Sequence, residues 1–484
     1  MERSNLAAVQ EAHARTHPHD EALVDGALRL THSQFAQRIA QTAKHLRTLG
    51  AGPGVLVGVA LGDHATHVII MLALARIGAV LLPLDHRWTP GERERVATHF
   101  GAALALVEPC QAISGTPCVE VSEKWPDTVS QCAADPVMAP GGDAPLLVSL
   151  SSGTTGRPKG PRITHAQFLA RFRTHWIDLG FVAQDCFVCA TPLYFGAGRT
   201  FVWSTLYAGG KVVLAPPPFD PPALLDTLAR EHATTLFLVP TQLRRLLAEH
   251  AGAAPLKRLR LLFSSGAPLT REERRAIHAE LNAYFCEYYA STEGGGVTLL
   301  KPADIDKHSD TVGRAIHAVD VEIVDAHHQP VSPGTVGLLR YRSPGCAIGF
   351  YRDDEASQEA FRDGWFYPGD LAQLDAAGYL TLAGRAKDMI IRGGINVYPE
   401  EVEAALQAHP AVREAAVVGM PSVDLGEEIA AFIVSDTPME DTVLRDWCAA
   451  RLAPYKVPRV FRTIADLPRN TSGKVQKAQL KTML

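Results

Sequence analysis

The sequence carries no surplus of positive charge. Its 47 Lys and Arg face 52 Asp and Glu, a formal net charge of −5. A nucleic-acid surface or a polybasic membrane anchor needs clustered cations, and no such run occurs. An uninterrupted apolar run of membrane-spanning length is also missing. The most apolar stretch, HVIIMLALARIGAVLLPL from His67 to Leu84, has Arg76 in its middle and Pro83 near its end. It reads as a buried helix, a glycine turn and a core strand rather than a span. The segment MERSNLAAVQEAHARTHPHDEA lacks the apolar centre of a secretory signal. Cysteine is sparse and unpatterned. Of eight cysteines, Cys186 and Cys189 form a lone CxxC, with no second pair or His pair at zinc spacing. DCFVCAT therefore reads as a buried strand with two small apolar side chains. Nothing suggests disulfides, so a reducing cytoplasm is expected. The GxxxxGK[ST] order of a Walker loop is absent too, because Gly473-Lys474 is followed by Val475.

What is present is the composition of a globular protein, 46% hydrophobic and 20% charged, in a chain of 484 residues. That length calls for more than one core. Apolar β-type runs alternate with helical segments. Val55–Leu61, Val80–Pro83, Leu146–Leu150, Lys211–Leu214 and Thr235–Val239 read as strands, and Leu256–Ser264 leads into another. Thr66–Ile77, Ala166–His175 and Pro221–Glu231 read as helices between them. This alternation predicts α/β architecture with parallel sheets covered by helices. After about residue 310 the pattern turns to β-type segments at Val319–Val324, Gly337–Arg342 and Tyr379–Leu382. The charged, glycine-rich GRAKDMIIRGG at Gly384–Gly394 is unlike a core element. Beyond it, helices at Pro399–Ala408 and Glu440–Arg451 and strands at Val412–Met420, Ala430–Val434 and Val457–Ile464 make a compact α+β unit of about 100 residues. The expected organisation is a large N-terminal domain of several subdomains, 1–386, and a small mobile C-terminal domain, 387–484.

The strongest local signal is LLVSLSSGTTGRPKG, Leu146–Gly160. An apolar strand runs into Ser151, Ser152, Gly153, Thr154, Thr155 and Gly156, then Lys159. Glycines let the main chain approach an anion and expose N–H groups; hydroxyls and an ammonium add donors. The pattern suits a polyphosphate. A flexible Ser/Gly linker is the bland alternative, but a linker does not follow so apolar a strand or end in RPKG.

This loop resembles the phosphate loop of the acyl-adenylate-forming superfamily, which includes acyl-CoA synthetases, adenylation domains and luciferases. Further motifs follow in the family's order. SSGAPL at Ser264–Leu269 resembles its adenine-binding turn, placing Gly266, Ala267 and Pro268 at the nucleotide. YYASTEGG at Tyr288–Gly295 resembles YGxTE. The resemblance implies that Tyr289 stacks on adenine, Thr292 contacts the α-phosphate and Glu293 holds Mg²⁺. Ala290 stands where the family usually has Gly. WFYPGDL at Trp365–Leu371 resembles xTGDL, with Asp370 at the ribose hydroxyls and Pro368 in place of Thr. GRAKDMI resembles GRxKD, with Arg385 at the ribose and Lys387 as hinge. LPRNTSGKVQK at Leu467–Lys477 resembles the closing motif, whose lysine is Lys474. Alone, Glu293 reads as a solvated loop acid, Asp370 as a turn cap and Lys474 as a surface lysine. The shared order gives them roles.

The resemblance implies a ligase with ATP, Mg²⁺ and CoA. A carboxylate is adenylated with Lys474, Thr292 and Glu293 as catalytic residues, and a thiol then takes the acyl group. No cysteine lies in a catalytic motif, so the thiol comes from outside, through a tunnel lined by Gly393 and Gly394. The acyl pocket is expected at Phe195, Gly198, Phe201, Ala290 and Gly295, apolar and of modest size, suiting aryl or short-to-medium aliphatic acids. Arg199 is its odd member, pairing with a second carboxylate, capping a helix or facing solvent. An acyl carrier protein is the alternative thiol donor, and a catalytically silent nucleotide-binding protein is the alternative from another class. No nucleic acid and no stable membrane insertion are expected, and a homodimer stays open.

Overall fold

The computed structural model describes residues 5–150, 158–392, 395–422, 424–437, 439–469 and 474–484. Among these, the strands form four sheets. The largest runs, in spatial order, Arg314–Ala315, Gly295–Leu300, Phe285–Ser291, Leu261–Ser264, Thr235–Leu238, Cys186–Cys189, Lys211–Leu214, Glu21–Asp25 and Leu28–Thr31. From Phe285–Ser291 to Glu21–Asp25 every neighbour pair is parallel. The second sheet runs Cys118–Glu120, Leu104–Val107, Leu56–Ala60, Val80–Pro83, Pro145–Val148 and Arg162–Thr164, parallel except for its last pair. The alternation in the sequence is thus realised as parallel-rich sheets with helices on their faces.

The apolar run is a helix, Ala65–Ile77, a left-handed Gly78 at φ 75°, and the strand Val80–Pro83. Arg76 is 4% exposed and is satisfied by Glu11 Oε1 at 2.6 Å and Asp135 O at 2.6 Å. A paired cation explains how this helix accommodates charge. Among the described residues no helix is long and apolar enough to cross a membrane. Cys186 and Cys189 lie in a buried strand, and burial pushes their thiols up to about 11 and about 12.

A third, antiparallel sheet takes up Asp320–Val324, Gly337–Arg342, Trp365–Phe366, Asp370–Leu374 and Leu380–Arg385. The short turn Ala386–Asp388 follows. The fourth sheet begins at Ile390 and pairs Ile390–Arg392, Ile395–Val397, Val412–Ser422, Gly426–Ser435 and Val460–Thr463. It has its own core around Ile390, Val402, Leu406, Val417, Ile433 and Leu444. The segment GRAKDMIIRGG departs from expectation, because Gly384–Arg385 and Ile390–Arg392 belong to strands of two different sheets. Ile390 is 1% exposed, one apolar side chain anchoring an otherwise polar segment.

Candidate active site

The expected phosphate-loop residues Ser151, Ser152, Gly153, Thr154, Thr155 and Gly156 and the expected tunnel residues Gly393 and Gly394 lie outside the described residues. The stems of the phosphate loop are described. Pro145–Val148 pairs antiparallel with Arg162–Thr164, and Ser149 N donates to Pro161 O at 3.1 Å. Gly160 lies where a Cβ would stand 2.5 Å from Val148 Cγ1 and 2.8 Å from the Phe100 ring. Lys159 Nζ lies 5.3 Å from the Phe350 ring centroid, a cation–π contact that holds the side chain without discharging it.

The residues expected at the nucleotide come from three segments. Ser264 ends a parallel strand, and Gly266 follows at φ +100° with Gly266 and Pro268 exposed and Ala267 half-buried. This is the C-terminal edge of a parallel sheet, where α/β folds place ligands. In the next strand Tyr289 Oη donates to Asp370 Oδ2 at 2.5 Å. Arg385 Nε stands 2.7 Å from Asp370 Oδ1. Asp370 is 9% exposed, and one carboxylate therefore joins the Tyr289 strand to the Arg385 strand. Burial, then the Asp370 charge, holds the Tyr289 phenol well above its ordinary range, so it stays a donor.

Thr292, Glu293 and Gly294 form the tip of the hairpin Phe285–Ser291/Gly295–Leu300. Gly294 N donates to Ser291 Oγ at 2.8 Å, and Ser291 Oγ is 2.5 Å from Tyr341 Oη. Thr292 and Glu293 are half-buried, and the Glu293 carboxylate makes no ion pair among the described residues. A hard, unpaired carboxylate fits Mg²⁺, whose remaining ligands are ordinarily phosphate oxygens and water.

Lys474 reaches this constellation from the far end of the chain. Its side chain is exposed; desolvation by the protein packed around it and then the Arg385 charge lower its ammonium from the usual lysine range, while Asp370 and Glu293 act in the opposite sense. Lys387 sits in the turn Ala386–Asp388; burial lowers it, with Lys474 among the charges acting on it.

The expected acyl-pocket residues divide. Phe195 precedes the helix Gly196–Ala208 and is half-buried, as is Ala290. Phe201 is 3% exposed and packs on Phe237 and Phe263 at centroid separations of 5.0 and 4.7 Å, so it underlies the site's wall instead of standing at its surface. Gly198 is set by main-chain crossing, since a Cβ there would stand 2.4 Å from Pro192 O. Gly295 faces protein, a Cβ there meeting Arg171 Cγ at 2.9 Å. Arg199 neither faces solvent nor pairs with a carboxylate among the described residues. It is 1% exposed and donates to Leu193 O at 3.2 Å, Tyr194 O at 2.9 Å and Ser149 Oγ at 3.1 Å. Burial brings it down to about 9.

Arg171 was not read from the sequence as a site residue, yet it binds the carbonyls of Thr292 and Glu293. The available signal was helical phase. In the helix His165–Ile177, His165, Phe168, Phe172 and His175 form a buried face, and Arg171 falls on it.

A model of the AMP-binding enzyme family matches residues 10–351, and one of the AMP-binding enzyme C-terminal domain matches residues 401–474. The chain belongs to the AMP-binding enzyme family. Its relatives place it in the acyl-CoA synthetase branch. A feruloyl-CoA synthase of Amycolatopsis sp is 31% identical over 99% of both chains. A sulfoacetate–CoA ligase of Cupriavidus necator is 31% identical over 98% of this chain and 97% of its own. Among solved structures, ATP-bound MatB from Rhodopseudomonas palustris superposes with a TM-score of 0.91 at 29% identity, covering 99% of each chain. The o-succinylbenzoate CoA synthetase MenE of Bacillus subtilis, with its acyl-adenylate, gives 0.90 at 26% identity and the same coverage. In this AMP-binding enzyme, the carboxylate, arginine and tyrosine of the nucleotide motifs meet as one polar cluster.

Proposed function

We propose that this acid–CoA ligase works in two half-reactions on a small, largely apolar carboxylic acid. In the first, a carboxylate oxygen attacks the α-phosphorus of ATP, the Pα–O–Pβ bond breaks and pyrophosphate leaves. In the second, an external thiol sulfur attacks the acyl carbonyl, the bond to AMP breaks and the thiol proton passes to solvent. The observation that carries this reading is Lys474 within the fields of both Asp370 and Glu293. An anion has to approach a polyanion, and an ammonium at that place neutralises the repulsion and aligns the two. Tyr289, Asp370 and Arg385 hold the nucleoside end, and Thr292 donates to the α-phosphate. Glu293 is the residue that would hold Mg²⁺, which supplies charge neutralisation at phosphate oxygens when bound.

CoA is the favoured thiol, since the relatives above are named as CoA ligases. A carrier-protein phosphopantetheine is the second reading. The acid is aryl or short-to-medium aliphatic. Among relatives, a feruloyl-CoA synthase and an indoleacetate–CoA ligase are named for aromatic acids. A sulfoacetate–CoA ligase and a 2-succinylbenzoate–CoA ligase are named for acids with a second anionic group. Arg199 Nη1 and Nη2 are committed to the protein's own oxygens and the side chain is 1% exposed, which disfavours a second carboxylate bound by that residue.

The test is pyrophosphate exchange over a panel including benzoate, hexanoate and malonate, with and without CoA. Dominance by malonate would overturn the apolar reading. Lys474→Ala is expected to lower adenylate formation by about a thousandfold, the scale of losing a preorganised donor. Thioester formation from supplied acyl-AMP should persist; equal loss of both halves would count against this role.

A further inference from the structure

The helix His165–Ile177 follows the returning stem of the phosphate loop directly, and its start is fixed by a Thr164–Gln167 capping box. Two turns in, Arg171 is 6% exposed. Its guanidinium donates to three main-chain carbonyls from two other segments: Nε to Gly345 O at 2.8 Å, Nη1 to Thr292 O at 3.2 Å, and Nη2 to Glu293 O at 2.7 Å. It pairs with no carboxylate among the described residues. A buried guanidinium without a counter-charge is costly, and one whose donors are all spent on neutral carbonyls gains little stability in return. Burial accordingly lowers its pKa.

The surroundings are cut to admit it. A Cβ at Gly345 would stand 2.8 Å from Arg171 Cγ, and one at Gly295 would stand 3.0 Å from Cδ. The carbonyls it holds belong to a hairpin tip, a place that is ordinarily solvated and mobile. Here Glu293 O also accepts from Ala347 N at 2.8 Å. The result ties the phosphate-loop stem, the Thr292–Glu293 tip and the Ser343–Ala347 segment to one rigid planar group.

We propose that Arg171 is a positioning residue for adenylate formation, fixing the hairpin tip so that Thr292 and Glu293 meet ATP and Mg²⁺ in a single geometry. This rests on the adenylation reading above. Arg171 touches no substrate and acts through the main chain of the two residues that do. Lysine keeps the charge but loses the fork that spans three carbonyls, so it separates geometry from charge.

The experiment compares wild type, Arg171→Lys and Arg171→Met in pyrophosphate exchange at saturating acid, with Mg²⁺ titrated. Melting curves are recorded with and without MgATP. Gly345→Ala, which presses on Arg171 Cγ, is the milder lesion should the methionine variant fail to fold. Arg171→Lys is expected to fold, to lose about tenfold to a hundredfold in kcat, the scale of a misplacement near 1 Å, and to need more Mg²⁺ for half-maximal rate. The KM for the acid should not change, and thioester formation from acyl-AMP should stay near wild type. Wild-type Mg²⁺ dependence in Arg171→Lys, or activity falling only in step with melting temperature, would overturn the proposal. Should wild type bind MgATP yet exchange no pyrophosphate, the ligase reading fails. The Mg²⁺ dependence of the MgATP-induced melting shift then decides Arg171 separately: a weaker dependence on wild-type terms in the lysine variant supports it, and an identical one removes it.

Discussion

At the scale of single residues, the chemistry is set by how charges at the site act on one another. In the proposed mechanism Lys474 works as an ammonium, so adenylation is expected below its pKa and is lost as pH rises through it. Desolvation by the surrounding protein is the largest influence lowering that pKa, Arg385 the next, with Asp370 and Glu293 opposing. Replacing Arg385 by Gln therefore moves the alkaline limb of kcat for pyrophosphate exchange to higher pH, and Asp370→Asn moves it lower. Both are measured at saturating ATP, because both residues are also proposed to hold the nucleoside. Limbs shifting in the same direction would remove Lys474 as the titrating group. Tyr289, Asp370, Arg385 and Lys474 were singled out in the sequence because each sits in a short run whose neighbours carry the information, and the structure brings Tyr289, Asp370 and Arg385 together. Arg171 and the Ser149–Arg199 bond were not. Their partners lie 121 and 122 residues away for Arg171 and 50 away for Arg199. No local pattern records such a pairing, though helical phase marks Arg171 as facing inward.

Among elements, the sequence predicted strands well where apolar residues run uninterrupted. Val80–Pro83, Lys211–Leu214 and Gly337–Arg342 form as expected, and others differ at their ends, Ala430–Val434 lying inside the longer strand Gly426–Ser435. The reason for a glycine was harder to read. Gly295 was expected to make room for an acyl group, whereas the whole run Gly294–Gly296 makes room for the protein. A Cβ at Gly294 would stand 2.2 Å from the Tyr341 ring, one at Gly295 2.9 Å from Arg171, and one at Gly296 1.8 Å from Tyr288 Oη. Tyr288 is 3% exposed and lies 3.5 Å from Thr174 Oγ1, so it has little freedom to withdraw. Gly296→Ala should therefore act as overpacking and cost about 1–3 kcal/mol, read as a lower melting temperature of the free enzyme. Unchanged melting would mean that the hairpin repacks without strain and that the glycine run is not a packing requirement.

For the whole molecule, the proposed mechanism requires one site to serve two half-reactions. Lys474 stands near Asp370 and Glu293, an arrangement suited to adenylation; the thiol then needs access to the same acyl group. The proposed answer is rotation of the C-terminal domain about Lys387, which lies in the turn between the third and fourth sheets. The seam between these parts includes a tight contact. Gly384 has φ +116°, and a Cβ there would stand 2.0 Å from Glu400 Oε2 at the start of the helix Pro399–Gln407. Lys477 Nζ, close to Lys474 in sequence, stands 2.8 Å from Glu403 and 3.7 Å from Glu400. The glycine thus lets the helix seat against the strand that carries Arg385, and the helix in turn braces the segment that carries Lys474. Alanine at Gly384 both clashes with Glu400 and adopts a backbone conformation costing about 1–3 kcal/mol, enough to deplete this arrangement about tenfold. Gly384→Ala should lower pyrophosphate exchange by that factor and leave thioester formation from supplied acyl-AMP intact. Lys387→Pro should do the opposite, because it restricts the dihedral change of the turn without touching the seam. Adenylation then persists and thioester formation fails. Opposite signatures at two residues three apart are a demanding outcome: normal CoA turnover in Lys387→Pro would remove the hinge, and parallel loss of both halves in Gly384→Ala would reduce that contact to ordinary packing.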